Sequence, residues 1–453
     1  MNKKNKNRDN FGSQFGILVA LTGSAVGLGN LWRFPYLLGT SGGAAFLIVY
    51  VIFILLLGIP LMCSEFVIGR RTHKNAFGAF KKLAPGSHWG IVGIFGVLAA
   101  VAIISFYSVV GGWSINYLVK SLSFNLCDIP ISNLTSTFNI STHRTWMPLF
   151  YLFIFLSLSG GILLGGVNKG IEKYSKVMMP ILFLLVIILV IRSVTLKGAG
   201  AGLVFLFKPD FSVLSPKVII NAMGQAFFSL SIGMGAIITY ASYVKKEENI
   251  MQTISLTAIF DTLFALLAGM AIMPAVFAFG IEPGEGPGLV FITLPQVFAK
   301  IPGGSIMAIL FFFILLVAAV TSSISVLEVI VAYMAEEFKI KRKTAVIISV
   351  VIAFVFGILC SLSLGILGPL KVFGMNIFDL FNYISANILM TVGALLIAIF
   401  VGYRLKKKVF VEEMTNNGLL KKSKGLAIFI FYLIKYVVPI FIIVIMIGSF
   451  ICD

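Results

Sequence analysis

Two tracts place polar residues and glycines inside otherwise apolar, helix-length stretches, and both have the composition of a solute site. The first is Gly23-Ser24-Ala25-Val26-Gly27-Leu28-Gly29-Asn30-Leu31-Trp32-Arg33-Phe34-Pro35. Three glycines weaken the helix there, and its hydroxyl, amide and guanidinium would each be costly in hydrocarbon unless protein or a polar ligand satisfied them. The second is Phe228-Ser229-Leu230-Ser231-Ile232-Gly233-Met234-Gly235, which again sets hydroxyls and a Gly-x-Gly in mid-helix. Where a helix opens, the amino-terminal half-end presents N–H groups that suit an anionic group, while freed carbonyls and hydroxyl oxygens suit Na⁺. Either tract alone reads as a small-residue packing face between helices. The pair, in corresponding positions, points instead to a site at mid-membrane.

The elements that hold these tracts are membrane spans. Of 453 residues, 59% are hydrophobic and 11% charged, a composition that excludes a soluble globular domain. Eleven apolar stretches are expected to cross: 11–37, 44–69, 89–119, 146–163, 171–191, 216–243, 251–280, 303–335, 345–364, 373–402 and 425–450. The two interrupted stretches are spans one and six. An offset of five reverses the sense of entry, so residues 11–192 and 216–402 are expected to form inverted repeats of five helices each, with broken helices 1 and 6 facing one another. A short segment, 1–10, precedes them and an eleventh helix, 425–450, follows.

The net charge of +18 raises the question of an acidic partner, and the positions of the basic residues answer it. With Lys173, Lys176 and Lys217 at span ends counted on the side they adjoin, 25 of the 35 Lys and Arg lie on the amino-terminal side and 8 on the other. The charge is therefore topological. By the positive-inside rule the amino terminus is expected in the cytoplasm and the carboxyl terminus outside a multi-pass plasma-membrane protein. Nucleic acid is not an expected partner; the bilayer is, and Lys245-Lys246, Lys406-Lys407-Lys408 and Lys421-Lys422 read as headgroup anchors. No small-residue cleavage site follows the basic start, so the first span is expected to stay in the mature chain. Four scattered cysteines (Cys63, Cys127, Cys360, Cys452) have no metal spacing, and His73, His88 and His143 fall at span ends or loops. No nucleophile and base constellation stands out, so no enzyme is expected.

Longer motifs add to this reading. They are the first tract through Trp32-Arg33-Phe34-Pro35, then Gly58-Ile59-Pro60-Leu61-Met62 with Glu65 and Gly69-Arg70, Gly235-Ala236-Ile237-Ile238-Thr239-Tyr240-Ala241-Ser242-Tyr243, Phe291-Ile292-Thr293-Leu294-Pro295 and Thr321-Ser322-Ser323. From Phe11 to about Gly402 the chain resembles the neurotransmitter:sodium symporters, in their bacterial eleven-span amino-acid transporter branch. The resemblance implies two sodium sites: one of the Ala25 carbonyl, Asn30, Ser229 and Asp261, the other of the Gly23, Val26 and Ala318 carbonyls with the Thr321 and Ser322 hydroxyls. Both are hard-oxygen sets, as an alkali cation requires. It further implies substrate contact at Ala25, Gly27, Leu28, Gly29, Ile103, Tyr107, Phe228, Ser229, Ser231, Met234, Ser322 and Val326, with the Tyr107 hydroxyl on a carboxylate. Tyr107 on its own residue type also reads as a satisfied core tyrosine.

Two departures from the family pattern carry information. Gly27 stands where monoamine transporters carry aspartate, which favours an amino acid over an amine. Asp261 stands where many members have asparagine, so its carboxylate is expected to offset Na⁺ and make chloride unnecessary. For the gates, the resemblance pairs Arg33 with an acid of span ten, at Asp379 or, by another register, with Asn382 in the acid's place. On the other side it pairs Arg8 with Glu336, with Phe11 in place of a usual tryptophan and Tyr243 nearby. Gly170 and Pro180 bracket nine residues that match a site of helix unwinding in the family; a simple kink is the alternative. The function so implied is sodium-coupled import of a hydrophobic or aromatic L-amino acid by alternating access. The alternative on the same fold is a channel or a substrate-sensing membrane protein.

Overall fold

The computed structural model describes residues 9–281, 288–420 and 423–451. The described residues fold into helices and connecting turns, with no sheet. Among the described residues nine helices are long and apolar enough to cross a membrane: Ala44–Thr72, Gly90–Leu122, Trp146–Leu164, Val167–Val194, Ile250–Ala278, Gly304–Glu337, Arg342–Leu362, Ile377–Arg404 and Lys424–Gly448. They match spans two to five and seven to eleven within a few residues at each end. Span one is a bent pair, Gln14–Ala25 and Gly29–Thr40, turning by 51° at its break. Span six is two pieces, Pro216–Ser229 and Ala236–Ala241, separated by residues 230–235. Each piece is too short to cross by itself, and together they cover the stretch where the sixth crossing was expected.

The breaks fall where the sequence opens the backbone. Val26 leaves the helix in an extended conformation, with φ −72° and ψ 106°. In span six Ser231, Gly233 and Gly235 all take positive φ, at 56°, 84° and 76°. Gly233 has a second constraint, because a Cβ there would run into the Met390 carbonyl of span ten. Glycine meets both demands, whereas Ser231 holds a left-handed backbone that disfavours a side chain. Spans three and eight pack along one another through the middle of the bundle, and the broken spans one and six lie against them. Lipid-facing spans four, five, nine and eleven are buried over only a third or so of their length, as apolar helices exposed to acyl chains should be.

Candidate functional site

An interrupted helix must account for the backbone groups it frees, since unpaired ones in a membrane cost several kcal/mol each, as an order of magnitude. Here the freed groups converge on one cluster. The Ser322 hydroxyl lies 3.3 Å from the Gly23 carbonyl, 3.4 Å from that of Ser24 and 3.1 Å from that of Val26. The Ser231 hydroxyl donates to the Ser24 carbonyl at 3.1 Å, tying the two breaks together. Thr321, one residue before Ser322 on the same helix, donates to the carbonyls of Ala318 (2.9 Å) and Val317 (3.1 Å). Gly23 presses against it, since a Cβ there would sit 3.4 Å from the Thr321 Cβ. Gly23, Val26, Ala318, Thr321 and Ser322, the five expected ligands of the second cation site, thus share one small buried neighbourhood of oxygens. Ser24 joins them without having been expected there, with its own hydroxyl donating to Ser325 at 2.8 Å.

A second oxygen cluster lies on the other side of the break. Ser229 donates to the Asp261 carboxylate at 2.7 Å, and the Asn30 amide donates to it at 2.8 Å and to Ser229 Oγ at 3.3 Å. The Asn30 Oδ1 accepts the Gly27 N–H at 3.2 Å, which fixes the amide's orientation. Asn30, Ser229 and Asp261 therefore meet as expected, fully or almost fully buried, while Ala25 contributes to the cavity wall beside them. The sequence reading missed Tyr50. Its hydroxyl, from span two, lies 3.3 Å from Ser229 Oγ and 3.5 Å from Asp261 Oδ2, so this carboxylate is surrounded by three side-chain donors. No residue named in either cluster carries sulfur or imidazole, though the Met179 thioether packs against Gly23, and no group of three or more His, Cys, Asp or Glu suited to a metal ion occurs among the described residues. Oxygen-only sets with one carboxylate at most favour a hard cation.

Between the two clusters lies a cavity. Its walls are Ser24, Ala25, Gly27, Leu28, Gly29, Ile103, Tyr107, Phe228, Ser229, Ser231, Met234, Ser322, Val326 and Met390. All twelve residues expected to touch substrate are among them; Ser24 and Met390 are additional. One end is polar: the Tyr107 hydroxyl accepts the Leu28 N–H at 3.3 Å, where the amide lies just past the break. The other end is apolar, formed by Ile103, Phe228, Met234 and Val326. Gly27 leaves no room for a side chain, because a Cβ would run into Ser322 Oγ and come within 3.0 Å of the Tyr107 hydroxyl.

Leu28, Gly29, Tyr107 and Phe228 also line a wider cavity of about 380 Å³ that continues past Trp32, Arg33 and Tyr36 to Asp379, Asn382 and Tyr383. Arg33 lies over the Phe228 ring at 4.8 Å, an arrangement worth about 0.5–2 kcal/mol depending on desolvation. The expected pairing of Arg33 with Asp379 is not made in this conformation. Asn376 instead caps this helix by accepting the Asp379 N–H at 2.8 Å, and its Nδ2 donates to the Asp379 carboxylate at 2.7 Å; Asn382 lines the same cavity.

The opposite end of the bundle is closed. Phe11 is 2% exposed, packs edge-on against Tyr240 and Tyr243, and donates its N–H to the Tyr243 carbonyl at 3.2 Å. The Tyr243 hydroxyl donates to Glu328 at 2.7 Å, and Arg342 holds both oxygens of that carboxylate at 2.7 Å. Glu336 accepts from the Asn75 backbone and side chain at 3.1 Å each. Arg8, expected opposite Glu336, lies outside the described residues, as does nearly all of segment 1–10. Gly170 sits in a wide turn, Val167–Glu172, and Pro180 lies within the helix that follows; span five runs unbroken between them here.

With this geometry in view, the comparison with known proteins is decisive about descent. The chain matches the sodium:neurotransmitter symporter family over residues 8–144 and 131–452. The chain belongs to this family. An uncharacterized sodium-dependent transporter of Bacillus subtilis, YhdH, is 42% identical over 438 residues, 96% of each chain. Another uncharacterized sodium-dependent transporter, from Haemophilus influenzae, is 39% identical over 460 residues, 99% of this chain and 100% of its own. Among solved structures, MhsT in complex with L-phenylalanine superposes with a TM-score of 0.90 at 42% identity, covering 98% of this chain and 100% of that one. The protein is thus a polytopic sodium-dependent transporter of the neurotransmitter symporter family.

Several residues of this symporter's site were missed by sequence reasoning. Glu328 and Arg342 could have been found: an acid in the middle of an apolar span is a functional candidate by default. Gln225 donates to the Gly29 carbonyl at 3.4 Å, a second donor beside the Phe34 N–H that the same carbonyl accepts, and ties span six to span one. Glu65, quoted above only as part of a motif, accepts the Gly233 N–H at 2.7 Å and anchors the break in span six to span two. Glu65, as an acid within an apolar span, carries the same signal as Glu328, but for neither Glu65 nor Gln225 does the local sequence name the partner, which lies more than a hundred residues away.

Proposed function

We propose that this symporter imports a hydrophobic or aromatic L-amino acid together with Na⁺ by alternating access. The observation that carries the reading is the cavity between the broken helices. It has Tyr107, the Leu28 N–H and Ser322 as polar groups for a zwitterionic backbone, and Ile103, Phe228, Met234, Val326 and Met390, with the Ser231 hydroxyl among them, for the side chain. A charged side chain there would be left unpaired, at a cost of several kcal/mol as an order of magnitude, and so would be rejected. Met234 can swing aside and offers sulfur to a ring, which suits an aromatic substrate. The solved complex of MhsT with L-phenylalanine supports the same substrate class.

The proposal includes two Na⁺ sites. The first is Ala25, Asn30, Ser229 and Asp261; the second is Gly23, Val26, Ala318, Thr321 and Ser322. Asp261 supplies a negative charge within the first, so no chloride is required. Residues 11–192 and 216–402 form the two inverted repeats, the amino terminus is cytoplasmic and the carboxyl terminus outside. Arg33 with Asp379 then closes the outer side, and Arg8, Glu336 and Tyr243 the inner one, with Gly170 and Pro180 bounding the turn of span five that opens. Each Na⁺ moving inward at about 100 mV contributes roughly 2.3 kcal/mol to accumulation. The test is a panel of the twenty amino acids in Na⁺-dependent binding to purified protein, followed by uptake into proteoliposomes. Binding without coupled uptake would favour a sensor, and Na⁺ flux without saturable substrate uptake would favour a channel.

A further inference from the structure

Neither the cavity nor the two oxygen clusters use the carboxylate of Glu172, which is nevertheless 2% exposed. It closes the wide turn that begins span five, just after Gly165 and Gly166. Its Oε2 accepts the backbone N–H of Gly12 at 2.6 Å and the Asn168 amide at 3.3 Å; its Oε1 accepts the Ser13 hydroxyl at 3.0 Å and Lys176 Nζ at 2.6 Å. Gly12 and Ser13 belong to the start of span one, 160 residues earlier. Ser13 is also the cap of that helix, with Oγ accepting the Gly16 N–H at 3.0 Å.

The start of span one is fitted to this carboxylate. A Cβ at Gly16 would run into the carboxyl group of Glu172, and one at Gly12 would lie 2.6 Å from Asn168 Nδ2. A negative charge at the amino-terminal end of a helix is favourable, and hydrogen bonds to a carboxylate are roughly twice as strong as neutral ones. The helix held in this way, Gln14–Ala25, is a rod whose far end carries the Gly23 and Val26 carbonyls gathered by Ser322. Fixing one end of a twelve-residue helix fixes the aim of the other.

The geometry points to Glu172 as a positioning residue: its carboxylate latches the start of span one to the start of span five, and release of this latch lets the helix swing and the second oxygen cluster come apart. The Na⁺ part of this inference rests on the sodium-coupled reading above; the latch itself does not. Glu172→Gln is the first variant. It keeps the shape but turns one acceptor oxygen into an NH₂ that faces a donor, either the Gly12 N–H or the Ser13 hydroxyl.

Hydrogen exchange on the full chain in nanodiscs, at saturating Na⁺, reads the result. In Glu172→Gln, exchange over residues 12–22 and 165–176 should rise about tenfold while the other spans stay as in the native protein, and half-saturation by Na⁺ should require several-fold more of the ion. An unchanged exchange pattern would overturn the latch. So would a rise spread evenly over all spans, the mark of a merely structural role. A second set guards against simple unfolding. Gly16→Ala alone should open the same segments, because its Cβ displaces the carboxylate, whereas Gly16→Ala with Glu172→Ala should exchange no faster than Glu172→Ala alone. Additive effects would overturn the fit between Gly16 and Glu172. A native protein whose substrate binding needs no Na⁺ would overturn the sodium-coupled reading instead, so the two failures are told apart.

Discussion

Replacing Asp261 by asparagine removes one charge and little else. The carboxylate accepts from Ser229 at 2.7 Å and from Asn30 at 2.8 Å, with Tyr50 3.5 Å away. An asparagine can keep the bond from Asn30 through its Oδ1, and the Ser229 hydroxyl can turn to accept from the new amide, so the fold should survive. On the proposed first Na⁺ site, what is lost is the partner of a buried cation. Breaking such a pair costs about 3–5 kcal/mol, and the three donors around Asp261 argue for the lower end. Taking about 3 kcal/mol, with a tenfold change for every 1.4, the Na⁺ needed for substrate binding should rise roughly a hundredfold. The assay is equilibrium binding of a labelled aromatic amino acid to purified protein against Na⁺ concentration, in gluconate. A shift of less than about threefold in a folded Asp261→Asn protein would refute the assignment of this carboxylate to a Na⁺ site. The native protein should bind equally well in gluconate and in chloride, and a strong chloride requirement would count against the same reasoning.

Further expectations concern the other walls. Thr321→Ala removes a single neutral oxygen from the second cluster, so Na⁺ affinity should fall about tenfold, as measured in the same titration, and chloride should have no effect on the loss. Asn30→Ala should weaken Na⁺-dependent binding as well, and it leaves the Gly27 N–H without its partner; unchanged Na⁺ dependence in both variants would remove the two-site assignment. Tyr107→Phe strips the acceptor from the Leu28 N–H and the hydroxyl from the polar end of the cavity; a loss of about 1–3 kcal/mol in binding would lower substrate affinity about five- to 150-fold, as read in the same binding assay. Met234→Phe fills the apolar end, and competition binding should then shift from aromatic substrates towards leucine and alanine.

The broken helices were legible because the chain must mark them. A membrane helix that opens needs glycines to bend and hydroxyls to satisfy carbonyls, and both stand out in Gly23 to Asn30 and Ser229 to Gly235. The cavity residues came with them, through a resemblance that extends over nearly the whole chain. Tyr50 was hidden for the opposite reason. It lies in a continuous apolar helix, and its role depends on facing Ser229 of another span, which no local pattern records. Arg70 is a similar case: its guanidinium, 1% exposed, meets Glu413 at 2.7 Å and Asn416 at 3.0 Å across more than 340 residues. The gate at Arg33 was obscured in another way. Arg33 lies over the Phe228 ring while Asp379 is engaged by Asn376 at the start of its own helix, and a pairing between spans one and ten has no mark in either local sequence. Glu172, an acid three residues from a lysine and four from another, looked like an ordinary helical surface charge; only the approach of Gly12 and Ser13 gives it a partner in span one.

The central claim is that substrate and Na⁺ enter together through the cavity between the broken helices. Its most direct test is uptake of radiolabelled phenylalanine into proteoliposomes under an inward Na⁺ gradient, in chloride-free buffer, with unlabelled amino acids as competitors. The account predicts accumulation that collapses when Na⁺ is replaced by K⁺ and is blocked best by phenylalanine, tyrosine and tryptophan. Accumulation that is indifferent to the Na⁺ gradient, or that glycine and alanine block while aromatic amino acids do not, would contradict it.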